Sequence, residues 1–503
     1  VSHDFARPSY SNADPDIIYM YQALLINGGL AQEYFDHTGY IYILALSGWT
    51  QLLHALGLLG PIRLQAFTTM TPATFETEFH RLVEAGRYLS FGIASGFIVV
   101  LWFTVHRLSG HRVIAAVAAV LFAVSPGLIT PALIVRPEML SSLLAFAAFA
   151  TLVGAAPATG WRGPALVALA AFLAMAAMMT KVQVVAVVLA LPVLALAFGR
   201  HHPRPAFAWN RPNASWSVAL CIFGALAFAL PALTMIFGRA AILGKPVYQT
   251  AIMVFVAAMV AAYARLYRID GRTTVVAGSA VLAGWAAAQY LHLITNEIQN
   301  TAAVATFIEH MTVFTASAGA DQIKGGLTGN LKAVLGGSLA DTLWTGVARP
   351  FEPATALAYP FRAVFWLSLA ALIYMLRKGD RRAFFQGGML IGLAYAIEVY
   401  SGLRGWIANY YIYATPWLIA GASVLAAPIL ATSSAGHPAP QERPRNIAAG
   451  VVVVAMAMAI AWSAGRSVQL AFATRTWQDE TNICRQRDAY LHRLPRAFSN
   501  RCG

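Results

Sequence analysis

Residues 165–198 read ALVALAAFLAMAAMMTKVQVVAVVLALPVLALAF, an apolar run in which Lys181 is the only charged residue. A helix needs roughly 20 consecutive apolar residues to cross about 30 Å of hydrocarbon. Together with its flanking residues, the run predicts two short spans, 163–180 and 182–199, near the lower end of the range of about 17–25 residues for a crossing, with Lys181 between them. This stretch predicts helices whose solvent is lipid.

The composition of the whole chain agrees with this prediction. Of its 503 residues, 58% are hydrophobic and 11% are charged, and the mean hydropathy is +0.61. A soluble domain carries roughly a quarter of charged residues. The net charge of +14 does not indicate nucleic acid, because the basic residues cluster in short loops between apolar runs and no basic stretch is interleaved with aromatics.

Apolar runs of spanning length recur along the chain. They predict an all-α polytopic membrane protein with about 12 transmembrane helices, or 13 if a further helix precedes this chain, and with external juxtamembrane helices. The predicted spans are 88–107, 113–131, 138–156, 163–180, 182–199, 215–237, 249–268, 273–294, 360–377, 383–400, 405–428 and 447–466.

Basic residues occur mainly in alternate loops, for example Arg107 with Arg112, and Arg377 with Arg381. Such loops are typical of the cytoplasmic side. The resulting domains are an external region 1–87, spans 88–294, an external loop 295–359, spans 360–466 and an external tail 467–503. Within the first region, the apolar stretch 39–60 contains His54 and precedes Pro61, which favours an interfacial or re-entrant helix.

Two carboxylates stand near the start of the chain, in Asp14-Pro15-Asp16. Pro15 suits the first turn of a helix, which places Asp14 at the N-cap and predicts an apolar helix along the membrane surface. Capping and the helix dipole explain both carboxylates in an isolated segment. In an external loop that also holds an imidazole and several tyrosines, they could instead deprotonate a hydroxyl or hold Mg or Mn.

Several short motifs of this chain resemble the GT-C superfamily of integral-membrane glycosyltransferases, including bacterial aminoarabinose and protein O-mannosyl transferases. The matching segments are Asp16-Ile17-Ile18-Tyr19, Asp36-His37-Thr38-Gly39, Arg136-Pro137-Glu138-Met139, Thr180-Lys181-Val182-Gln183 and Tyr411-Ile412-Tyr413-Ala414-Thr415-Pro416. Thr38 stands where that family often has proline.

The resemblance implies a hexosyl- or pentosyltransferase that moves a sugar from polyprenyl phosphate to a glycan, lipid or protein acceptor with inversion. It places the enzyme in a bacterial inner membrane, with its site on the periplasmic side. The external acid is then the catalytic base, with Asp16 as first candidate and Asp14 as second. Tyr19, His37 and Tyr411 fall in the matching motifs and are candidate substrate-binding residues.

The leaving phosphate would need cations. Lys181, Arg136 and Arg404 all fall at external ends of predicted spans. Each could equally reach the lipid headgroups without binding substrate, and Arg136 could pair with Glu138 in a structural role.

The loop 295–359 is too long for a simple connector, and its Glu309-His310 pair is a candidate for substrate binding or for solvated surface. No zinc motif, phosphate loop or dinucleotide fingerprint is present in the sequence. In the tail, Cys484 and Cys502 are placed to form a disulfide if that segment is periplasmic, or are two unrelated thiols.

Two other functions remain open from the sequence. A secondary transporter would share the spans and basic loops, but would carry ionisable groups near the bilayer midplane and broken helices in matched halves. An O-antigen ligase or polysaccharide polymerase would share the lipid-phosphate chemistry and depend on a large late external loop.

Overall fold

A computed structural model describes residues 13–30, 39–155, 161–198, 254–262, 271–295, 359–403 and 410–431, with a few isolated positions. In these ranges the chain is helical without a strand, which confirms the all-α prediction. The helices are α1 (Ala13–Asn27), α2 (Tyr40–Ala55), α3 (Leu64–Phe67), α4 (Pro72–Ser109), α5 (Arg112–Ala123), α6 (Pro126–Ala132), α7 (Glu138–Ala155), α8 (Arg162–Thr180), α9 (Val185–Phe198), α10 (Gly271–Thr295), α11 (Tyr359–Lys378), α12 (Arg381–Leu403) and α13 (Tyr411–Ala431).

Five described helices are long and apolar enough to cross a membrane, and a sixth crossing follows if α5 and α6 form one bent span. The five are α4, α7, α8 and parts of α10 and α13. Helices α9, α11 and α12 coincide with three further predicted spans without meeting the same test, and α9 is too short for it. Because 215–237 lies outside the described residues, and 249–268 and 447–466 are described only in part, the number of twelve stays a prediction.

Helix α4 is much longer than one crossing. Thr71 caps it by accepting from the backbone N–H of Thr74 at 3.4 Å, Pro72 follows, and Gly110 ends it with a φ of 74°. Its 38 residues extend about 57 Å, roughly twice the hydrocarbon thickness. The predicted span 88–107 is its second half, and the helix runs unbroken across the predicted domain boundary at residue 87.

The predicted span 113–131 consists of two helices with an angle of 54° between them. The break lies where Ser125 caps α6, accepting from the backbone N–H of Leu128 at 3.3 Å, and Pro126 starts the new helix. Proline cannot continue the preceding helix, since it has no N–H to donate.

Antiparallel packing brings alternate helix ends together. At one end the Ser142 hydroxyl donates to the carbonyl of Ile412 at 2.8 Å, joining the starts of α7 and α13. Ser141 donates to Ala177 near the end of α8 at 3.1 Å. At the other end Arg107 lies 3.5 Å from the carbonyl of Gly154. We call these the Glu138 end and the Arg107 end of the bundle.

Helix α1 differs from the expected surface helix. It begins at Ala13, so Asp14 lies within its first turn and is not the N-cap. Residues 16–25 are buried on every side of the helix, because α1 packs against α2, α3 and α4. Asn27 anchors its far end, donating to Thr50 and to the carbonyl of Ile62, each at 3.0 Å. The helix therefore belongs to the protein core and has no lipid-facing stripe.

Candidate functional site

The side chain of Asp16 is completely buried, and both of its carboxylate oxygens accept hydrogen bonds. Its Oδ2 accepts from Nη2 of Arg87 at 2.7 Å and from Nε at 3.1 Å. Its Oδ1 accepts from the backbone N–H of Val135 at 2.6 Å. Arg87 comes from the middle of α4 and is itself 1% exposed. The pair therefore fixes α1 to α4 and to the segment before α7.

The two motifs of the N-terminal region meet at Tyr19. The ring of Tyr19 lies 5.8 Å from that of Tyr42, edge to face. A Cβ atom on Gly39 would lie 2.6 Å from Cε1 of Tyr19, so any larger residue would collide with the ring. Tyr42 donates to or accepts from Ser90 of α4 at 2.7 Å. The absence of a side chain at Gly39 thus lets the end of the second motif lie against the first.

A looser cluster of charges lies at the Glu138 end of the bundle. Glu138, at the start of α7, has its Oε1 3.5 Å from Nζ of Lys181 and 3.8 Å from Nη1 of Arg136. Both distances are longer than a charge-assisted hydrogen bond, which measures roughly 2.7–2.9 Å between donor and acceptor. Glu138 Oε2 is buried and has no hydrogen-bond partner within the described part of the chain. Two cations thus share one carboxylate oxygen, and the formal charge of the three groups is +1.

Lys181 lies in this cluster because the helix ends there. It adopts extended geometry, with φ −156° and ψ 131°, immediately after α8. Burial alone would lower the pKa of its ammonium, but the neighbouring Glu138 carboxylate raises the pKa above its usual value, with smaller contributions from Tyr19 and Tyr410. The ammonium is consequently charged throughout the physiological pH range.

Gln183 extends the cluster toward α13. It lies in the 3-10 turn Val182–Val184 and donates from Nε2 to the hydroxyl of Tyr410 at 3.4 Å. Its Oε1 is buried without a hydrogen-bond partner among the described residues. A buried polar atom left unpaired costs about 1–3 kcal/mol, so the two orphaned oxygens of Glu138 and Gln183 mark a place where a ligand would add hydrogen bonds.

The donor set around Asp16 does not fit a divalent cation. Both of its oxygens already accept protein hydrogen bonds, and the guanidinium of Arg87 would repel a metal ion. In the described ranges there is no group of three or more His, Cys, Asp or Glu side chains that could hold one. The side chains of Asp14, His37, Glu309 and His310 lie outside what the structure describes, so Mg or Mn at Asp14 stays a prediction.

Of the other predicted residues, Tyr411 is buried at the start of α13, next to the cluster. Arg136 lies in the cluster, where the pairing with Glu138 considered from the sequence is present. Arg404 and the proposed disulfide of Cys484 and Cys502 lie outside the described residues.

Sequence reasoning missed three buried polar residues. Arg87 stands in a helix whose pattern gave no sign of a partner 71 residues earlier in the chain. Gln183 could have been found from the sequence, since it is a polar residue two positions after Lys181 in an apolar run. Glu398 of α12 is 1% exposed, with both carboxylate oxygens unpaired within the described ranges. It lies in the second half of α12, which spans Arg381–Leu403.

No protein-family model matches the chain, and no curated protein matches its sequence. Among solved structures it is similar to the oligosaccharyltransferase AglB of Archaeoglobus fulgidus in complex with an inhibitory peptide and a dolichol-phosphate, with 15% identity and a TM-score of 0.41. The apo form of the same enzyme has 13% identity to this chain and a TM-score of 0.43. The form tethered to an acceptor peptide has 14% identity and a TM-score of 0.42.

These alignments cover 90% of this chain but only 51–52% of the archaeal chains, so this chain spans about half their length. At such TM-scores the likeness carries no argument about activity.

Proposed function

We propose that this protein is a membrane glycosyltransferase that takes a sugar from a polyprenyl-phosphate donor and binds the donor phosphate at Lys181 and Arg136. The observation that carries the proposal is the loose cluster at Glu138, where the buried Lys181 and the half-buried Arg136 share one carboxylate oxygen at 3.5 and 3.8 Å. A net positive charge in a poorly hydrated place favours an anionic ligand. Two of the motifs that resemble GT-C enzymes, Arg136–Met139 and Thr180–Gln183, supply the residues of this cluster.

The location of the cluster suits a lipid-linked substrate. It lies where α7 and α13 begin and α8 ends, so a donor could keep its isoprenoid chain in lipid and its phosphate in protein. The turns that join α4 to α5 and α11 to α12 are flanked on both sides by Arg or Lys. They lie at the opposite, Arg107 end, because Gln386 near the start of α12 contacts Ala197 at the end of α9, and α9 starts beside Lys181. The positive-inside rule favours the cytoplasm for that end, which supports a proposed site on the outer, periplasmic face.

The reaction would be a single displacement with inversion. The acceptor oxygen attacks the anomeric carbon and its proton passes to a carboxylate, while the bond from that carbon to the phosphate oxygen breaks and its electron pair leaves with the phosphate. Lys181 and Arg136 would stabilise the charge that develops on the phosphate. Glycan, lipid and protein acceptors are all compatible with this chemistry.

The two aspartates then have different roles. Asp16 is locked by Arg87 and Val135, and its position supports a positioning role for α1. A base must be within hydrogen-bond reach of the acceptor hydroxyl. We therefore propose Asp14, the second candidate from the sequence, as the base, and Asp16 as the residue that holds its helix in place.

The test begins with protein purified with its native lipids, whose bound polyprenyl species are identified by native mass spectrometry and then used as donor. We expect Lys181→Met to weaken binding of sugar-free polyprenyl phosphate about ten-fold, a loss of roughly 1.4 kcal/mol. Lys378→Met, at an exposed position in the last turn of α11, is the matched control and should bind normally.

In the same preparations, Asp14→Asn should lose turnover while its thermal unfolding stays unchanged. Asp16→Asn should lose both turnover and thermal stability, because a neutral amide cannot replace the carboxylate beside Arg87. Unchanged lipid-phosphate affinity in Lys181→Met, or full turnover in both asparagine variants, would refute the proposed function.

A further inference from the structure

Gln183 is a buried polar side chain that the phosphate chemistry does not use. It is 7% exposed, in the turn that follows Lys181. Its amide nitrogen contacts the hydroxyl of Tyr410, and Tyr410 is close enough to Lys181 to interact with it electrostatically. The amide oxygen has no partner in the parts of the chain that the structure describes. The amide therefore offers a free acceptor beside the two cations.

Glu138 offers a second free acceptor in the same cluster. Its Oε1 faces Lys181 and Arg136, while its Oε2 is buried and lacks a hydrogen-bond donor among the residues described. Tyr413 connects the two acceptors, since its ring lies 6.3 Å from that of Tyr410 and its side chain is within electrostatic range of Glu138. These contacts place both acceptors at the end of the bundle that holds the two cations.

The combination of unpaired acceptors and cations selects a particular kind of ligand. A phosphate group satisfies the cations but has no donor for the carboxylate and amide oxygens, and its own charge would be repelled by Glu138. A ligand that carries hydroxyl groups next to its phosphate satisfies both sets. A sugar phosphate ester has this chemistry, and a lipid phosphate alone does not.

We propose that Gln183 and Glu138 form the subsite for the hydroxyl groups of the donor sugar, so that these two residues discriminate a sugar-bearing lipid phosphate from the same lipid without its sugar. This inference rests on the proposed function and deepens it. In the discharged state the acceptors lose their donors again, which favours exchange of the spent lipid for a loaded one.

The test compares two ligands, polyprenyl phosphate without sugar and the same lipid phosphate carrying one hexose. Gln183→Met keeps the length of the side chain and removes the amide. We expect it to weaken binding of the hexose-bearing lipid about ten-fold and to leave binding of the sugar-free lipid unchanged. Gln386→Met is the matched control. It removes an amide that donates to Ala197 at 2.9 Å, elsewhere in the bundle, and should leave both affinities unchanged.

A second variant guards against misfolding. Tyr410→Phe removes only the hydroxyl that orients the Gln183 amide, so it should give a smaller loss in the same direction. Equal weakening of both ligands in Gln183→Met and Tyr410→Phe, or of neither, overturns the sugar subsite and leaves the phosphate site intact. Unchanged binding of the sugar-free lipid in Lys181→Met overturns the phosphate site instead, so the two failures are distinguishable.

Discussion

Two groups of buried charges lie close together in this protein, and they are built in opposite ways. Asp16 and Arg87 form a closed pair, with two hydrogen bonds at 2.7 and 3.1 Å and a third from the backbone of Val135. Glu138, Lys181 and Arg136 form an open cluster, with contacts of 3.5 and 3.8 Å and an unpaired carboxylate oxygen within the described residues.

The difference separates structure from ligand binding. A charge pair whose hydrogen bonds are complete has nothing left to offer a substrate and serves to fix helices in place. A cluster that leaves acceptors unpaired is tolerated where a ligand completes it. The same kinds of side chain thus have different roles, and geometry decides between them.

The largest expected effect comes from opening the closed pair. Arg87→Met leaves the Asp16 carboxylate buried without its partner, and we expect a loss of about 3–5 kcal/mol in the free energy of unfolding. Thermal unfolding in detergent measures it. Arg81→Met, on the same helix, removes an exposed partner of Glu78 at 2.9 Å and should cost less than about 1 kcal/mol.

A double variant completes that comparison. Asp16→Leu combined with Arg87→Met removes both charges and should regain much of the lost stability, since an apolar pair leaves no charge unpaired. If Arg87→Met were no less stable than Arg81→Met, the pair would not have the structural role assigned to it.

A smaller effect on stability is expected from the open cluster. Glu138→Gln keeps the shape of the side chain and raises the formal charge of the cluster from +1 to +2. We expect a loss of about 1–3 kcal/mol, less than for Arg87, because the side chains of Lys181 and Arg136 are still 11% and 17% exposed. Affinity for sugar-free polyprenyl phosphate should rise at the same time, as measured by titration in detergent. Weaker binding of that ligand would contradict the open arrangement.

The smallest effect concerns the helix contact beside the open cluster. Ser142→Ala removes the hydrogen bond from α7 to the carbonyl of Ile412, and we expect a loss of about 0.6 kcal/mol, the average for such bonds between membrane helices. Ser423→Ala is the control, because that hydroxyl donates within its own helix to Ile419 at 2.7 Å. The thermal midpoints of the two variants, compared under the same conditions, measure the difference; equal midpoints would mean that this contact adds nothing.

Local sequence predicted much of the fold. The apolar run 165–198 gave two helices with a turn at Lys181, and α8 and α9 lie there with Lys181 between them. The predicted surface position of α1 was wrong. A helix that is buried on all sides can carry the same apolar residues as a helix that lies on a membrane surface. The prediction of Asp14 as the N-cap was wrong, because Ala13 and Asp14 are both inside α1; helix ends depend on contacts beyond the local sequence.

The sequence by itself determined that this chain is an all-helical membrane protein and that charges interrupt its apolar runs at few places, because hydropathy is a property of contiguous residues. Only the tertiary structure decided which charges meet. Asp16 and Arg87 are 71 residues apart, and Gln183 and Tyr410 are 227 apart. Their pairing depends on how helices pack, and helix packing brings together residues that no local pattern relates.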